Sequence, residues 1–76
     1  PWKETMNARK IVIFANGRSC QIREGLHVSG FLKDRGLNPK TVMVELNGEV
    51  LPRRQWTGHE LQHGDRLEII RVVAGG

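Results

Sequence analysis

A chain of 76 residues with 38% hydrophobic content makes one small domain, which buries about 60% of the surface its unfolded chain exposes and has no room for a deep active site. Its net charge of +4 comes from 12 Lys and Arg scattered among 8 Asp and Glu. The adjacent basic pairs, Arg9-Lys10 and Arg53-Arg54, lack exposed aromatic neighbours for base stacking, so nucleic-acid binding is not expected.

Residues 1–9 have neither period nor turn chemistry and read as an N-terminal arm, in part a remnant ahead of a natural start at Met6. From Lys10 the run Ile11-Val12-Ile13-Phe14-Ala15 is β-branched and apolar. Asn16-Gly17 then tolerates the positive φ of a two-residue hairpin turn, and Ser19-Cys20-Gln21-Ile22 returns as the second strand.

The next segment, EGLHVSGFLKDRGLNP, changes period: Leu26 or Val28 lies three to four residues from Phe31 and Leu32, as on one helical face. A short helix is expected, ended by Gly36 in the left-handed position, Leu37 folded back and Pro39 beyond. Its start is poorly marked, because His27 stands where Ser, Thr or Asp would cap.

In Thr41–Leu46, Val42, Val44 and Leu46 fall on one side of a strand, and Thr41, Met43 and Glu45 on the other. Asn47-Gly48 makes a second hairpin turn into Glu49-Val50-Leu51, and Pro52 stops the pairing. Residues 53–61 read as a connection in which Trp56 and Leu61 cover the core. Gly64-Asp65 turns the chain into a last strand, Leu67–Val73, whose near-continuous apolar character places it in the sheet's centre. The order, two hairpins separated by a helix and followed by a final strand, predicts an α+β fold: a mixed sheet with one main helix across one face. Residues 10–73 form this domain, and residues 74–76 a tail.

Most chemistry is missing. Cys20 is the one cysteine, so neither an internal disulfide nor a thiolate metal cluster is expected, and a cytoplasmic location is the default. Within a strand pattern and without a flanking His, it reads as a packing residue. His59 and His63 have a metal-ligand spacing but no acidic or Cys partner, and no metal is expected. No stretch approaches the roughly 20 apolar residues of a membrane span, and the N-terminus lacks the apolar core of a signal peptide. No nucleophile–base pair or carboxylate pair can be assembled, so the domain is not expected to be an enzyme.

What stands out is the end, RVVAGG. Ala74-Gly75-Gly76 has almost no side chain to hold it, so a strand hands over to a flexible carboxylate. Such a tail can thread a narrow pocket of another protein, where its carboxylate attacks the α-phosphate of ATP to form an acyl-adenylate. Sulfur or an amine then displaces AMP, giving a thiocarboxylate or an isopeptide.

The stretches NGEVLPRRQW and HELQHGDRLEIIRVVAGG resemble the ThiS family, sulfur carriers of thiamine biosynthesis with a ubiquitin-like β-grasp fold, in the MoaD/ThiS superfamily. The family's Asn-Gly-Glu hairpin, Pro-Arg and Trp, Gly-Asp turn and terminal Gly-Gly fall in order at Asn47-Gly48-Glu49, Pro52-Arg53, Trp56, Gly64-Asp65 and Gly75-Gly76. Two departures, an extra first-strand residue at Ala15 and His27 in place of a common Thr, are local.

The resemblance implies that Gly76 is the carrier site and Gly75 and Ala74 its spacer. A ThiF-like adenylyltransferase would activate Gly76 with ATP, a persulfide donor would supply sulfur, and a ThiG-like thiazole synthase would take it. The domain would bind no cofactor itself and be monomeric when free. Ile70 and Val72 would form a docking patch on the sheet face away from the helix, with Arg71, Arg53 and Arg54 adding charge. Three alternatives stay open: a carrier for molybdopterin or cysteine synthesis, a ubiquitin-like modifier, and an interaction domain with an idle tail.

Overall fold

The computed structural model describes residues 9–72. Among these residues there are five strands: β1 (Lys10–Ala15), β2 (Arg18–Arg23), β3 (Val42–Leu46), β4 (Glu49–Leu51) and β5 (Arg66–Arg71). One helix, α1 (Val28–Asp34), lies between the hairpins, and two short 3-10 turns, Pro39–Thr41 and Arg53–Gln55, complete the order. The expected boundaries hold to within a residue or two. Thr41 closes a 3-10 turn rather than opening β3, and Val73 lies outside the described residues.

The sheet order is β2-β1-β5-β3-β4. β5 is therefore central, antiparallel to β3 from Leu46↔Leu67 to Val42↔Arg71, and parallel to β1 at Phe14↔Arg66 and Ala15↔Leu67. Both hairpins turn through Asn-Gly with positive φ at each residue: 50° and 82° at Asn16 and Gly17, 52° and 89° at Asn47 and Gly48. That is the backbone hand that matches strand twist.

α1 supplies Val28, Phe31 and Leu32 to the core, where they meet Ile13, Val42, Val44 and Leu67, all essentially inaccessible to solvent. Each such side chain contributes about 1.5–3 kcal/mol through burial. Leu67 is fully buried and Ile69 is packed against this cluster, as alternation along β5 requires. Cys20, a half-buried free thiol, packs there too, opposite Ile13.

The helix ends as expected. Gly36 (φ 69°) donates to the Lys33 carbonyl at 2.9 Å and Leu37 to that of Leu32 at 3.0 Å, the paired bonds of a Schellman motif. Its start follows a different rule. The His27 side chain makes no capping bond; instead the Val28 and Ser29 N–H groups donate to the carbonyls of His59 and Trp56, at 3.0 and 3.1 Å. The connection after β4 thus caps the helix from outside, which no local motif encodes. Trp56 and Leu61 within it are buried, and the indole Nε1 donates to the Leu51 carbonyl at 2.8 Å.

Candidate functional site

β1 and β5 are each six residues long, but β1 ends at Ala15, opposite Leu67, so β5 runs on past it from Glu68 to Arg71. After Ala15 the chain turns away, yet the Asn16 N–H still donates to the Leu67 carbonyl at 2.8 Å. The Asn16 side chain then replaces the missing strand: Oδ1 accepts from the Ile69 N–H at 2.7 Å, and Nδ2 donates to the Ile69 carbonyl at 3.3 Å. On the other flank Val72 is held by its N–H to the Thr41 carbonyl at 2.8 Å.

The second hairpin clamps the beginning of the same strand. The Asn47 N–H donates to the Arg66 carbonyl at 2.8 Å, its Oδ1 accepts from the Arg66 N–H at 2.9 Å, and its Nδ2 donates to Asp65 Oδ1 at 3.1 Å. Asp65 Oδ2 accepts from the Gln62 N–H at 2.8 Å and so closes the preceding loop. One Asn from each hairpin fixes β5 lengthwise, a role their turn chemistry alone does not reveal.

Ile70 and Val72 lie on the face away from α1, 40% and 46% exposed, with Met43 directly across from Ile70. Phe14 and Val50 are also exposed on this face, which local sequence signals do not mark. Phe14 sits inside a continuous apolar run, where only the period of two separates it from buried Ile13. Glu45 and Glu68 stand opposite one another on the same face. Arg71 does not share it: alternation turns its side chain to the helix side, opposite Val42. Arg53 is on the 3-10 turn, 5.4 Å from the Trp56 ring, with its guanidinium 3.4 Å from the Val42 carbonyl. Gly76, expected as the carrier site, and Gly75 and Ala74, expected as its spacer, lie outside the described residues.

The histidines have structural uses. His63 Nδ1 accepts from the Val12 N–H at 3.1 Å, and the His59 carbonyl takes part in capping α1. Among the described residues no three His, Cys, Asp or Glu side chains gather as a metal site, and no helix is long and apolar enough to cross a membrane.

A five-stranded mixed sheet with this order, one helix across it and its last strand at the centre is a β-grasp fold, the class that includes ubiquitin-like carriers. The family model described as "ThiS family" matches residues 7–76, and the chain belongs to that family. It is 30% identical to the sulfur carrier protein ThiS of Escherichia coli over 64 residues, 84% of this chain and 97% of that protein. The crystal structure of the thiamine biosynthesis protein ThiS from Geobacter metallireducens superposes with a TM-score of 0.77 at 30% identity, covering 87% of this chain and all of that one. A thiazole synthase from Paramagnetospirillum magneticum is 31% identical over 67 residues, 88% of this chain and 20% of that protein.

Proposed function

We propose that this chain is the sulfur carrier for thiamine thiazole synthesis and that the carboxylate of Gly76 is its working group. Family membership carries the reading, and the central, doubly clamped β5 supports it by fixing the root of the tail. The similarity to a fifth of a thiazole synthase favours thiazole formation over the other sulfur acceptors.

In this mechanism a ThiF-like adenylyltransferase binds ATP. A Gly76 oxygen attacks the α-phosphate and pyrophosphate leaves. The terminal sulfur of a persulfide donor attacks the acyl carbon and expels AMP, and reduction of the resulting S–S bond by a thiol leaves the thiocarboxylate. A ThiG-like thiazole synthase then accepts the sulfur. The domain supplies no general base and holds no cofactor; its contribution is a narrow acyl terminus on a rigid strand. The open face around Ile70 and Val72 is the surface on which these partners dock, its apolar groups burying against theirs.

Incubation with ATP, the adenylyltransferase and a sulfur donor tests the reading by intact-protein mass spectrometry. Replacement of one terminal oxygen by sulfur, located in the C-terminal peptide and lost when Gly76 is deleted, is expected. Sulfur loading that survives that deletion but disappears in Cys20→Ala would make the protein a persulfide carrier instead. Attachment to a lysine amine would make it a modifier.

A further inference from the structure

On the helix side of the sheet, where β1 has ended and β5 continues, lies a groove of about 520 Å³. Three guanidinium side chains line it from three separate elements: Arg18 at the start of β2, Arg35 at the end of α1 and Arg71 at the end of β5. No carboxylate lines it among the described residues. Its floor is apolar, formed in part by Phe31, Val42 and Ile69, and Arg35 stacks over the Phe31 ring at 4.8 Å.

Among the described residues, one wall is an open strand edge. Residues of β5 alternate in the direction of their backbone groups: Val72 donates toward β3, whereas Leu67 and Ile69 bond toward β1 and Asn16. By the same alternation the N–H and C=O of Arg71 point to the side that β1 has left, beyond the reach that Asn16 spends on Ile69. An edge of this kind is a template for another strand.

We infer that this groove receives an extended acidic segment of a partner protein, which adds as a strand along β5 at Arg71. Side chains two apart on such a strand point to the same face, about 6.5–7 Å from one another, so those turned to the helix side meet the guanidinium groups. The residue between them falls on the open face beside Ile70 and Val72. The recognised pattern is therefore acidic–apolar–acidic. Charge selects it, because each arginine offers a fork suited to a carboxylate. The backbone pairing sets its direction and places it next to the root of the tail. Peptide binding in the groove does not depend on the chemistry at Gly76, so its test stands whether or not sulfur loading is found.

The test titrates the full ¹⁵N-labelled chain with the capped peptide acetyl-Val-Asp-Val-Asp-Val-amide and, in parallel, with its Asn-for-Asp counterpart. The acidic peptide is expected to shift the amides of Asn16, Ile69 and Arg71 and to slow hydrogen exchange at Arg71, while the neutral one binds far more weakly. Arg35→Glu and, separately, Arg18→Glu should each weaken the acidic peptide about tenfold, with the melting transition recorded to confirm folding. Equal binding of the two peptides, shifts confined to Phe14 and Ile70, or the same shifts from inorganic phosphate alone would overturn the inference. So would movement of the Gly76 amide on Arg35→Glu without any peptide, since the chain's own carboxylate would then be the occupant.

Discussion

The Asn16 side chain forms two hydrogen bonds with the backbone of Ile69, 53 positions away, acting as one further residue of β1. The primary amide presents an acceptor and a donor at the spacing a peptide group would, so β5 stays paired where its neighbouring strand has ended.

Asn16→Gly separates this role from the turn. Glycine keeps the positive φ of 50° at no steric cost but lacks the amide. The expected loss is about 1–3 kcal/mol for two bonds, read from a denaturant midpoint, with faster hydrogen exchange at Ile69. Unchanged exchange there would show that the bracket does not hold β5.

Core placement along β5 is tested by a pair of truncations. Leu67→Ala, at a fully buried position, should cost about 2–5 kcal/mol, a large share of the stability of a small domain. Ile69→Ala should cost less, because its side chain is only partly buried. Reversal of that order in chemical denaturation would contradict the packing described.

Trp56→Phe keeps an aromatic ring over the core but removes the donor to the Leu51 carbonyl. A loss of about 1–3 kcal/mol is expected from the unsatisfied carbonyl and reduced packing, visible as a lower melting temperature. A neutral outcome would mean that water replaces the indole.

On the open face, Ile70→Ser should leave the melting temperature nearly unchanged, since the side chain is 40% exposed, while slowing sulfur loading by the adenylyltransferase. Wild-type loading at limiting enzyme would remove Ile70 from the docking surface. Relief of the facing carboxylates by Glu68→Gln should raise stability by about 0.2–1 kcal/mol.

Much of this arrangement is legible in the sequence because it is written in local signals. The period of two in Val42-Met43-Val44 separates core from open face, Asn-Gly fixes each hairpin, and Gly36 with Leu37 ends α1 through contacts a few residues long. What is not legible depends on partners distant in the chain. His27 needs no side-chain cap only because carbonyls of residues 56 and 59 come to the helix start. Likewise Arg18, Arg35 and Arg71 are unremarkable charges until the topology brings β2, α1 and β5 to one groove. Arg71 and Ile70, adjacent in sequence, face opposite sides of the sheet.

The central position of β5 also governs how the domain assembles. In the order β2-β1-β5-β3-β4 the two hairpins share no ladder with each other; both are joined through the strand that the chain supplies last among them. During synthesis each hairpin can form early, but the sheet remains split until residues 66–71 leave the ribosome and insert between Ala15 and Val42, closing a loop of some fifty residues. Long-range closure of this sort slows folding. It also makes a prematurely terminated chain two unsupported hairpins, exposed to proteolysis. Completion of the fold and delivery of its central strand are then a single event.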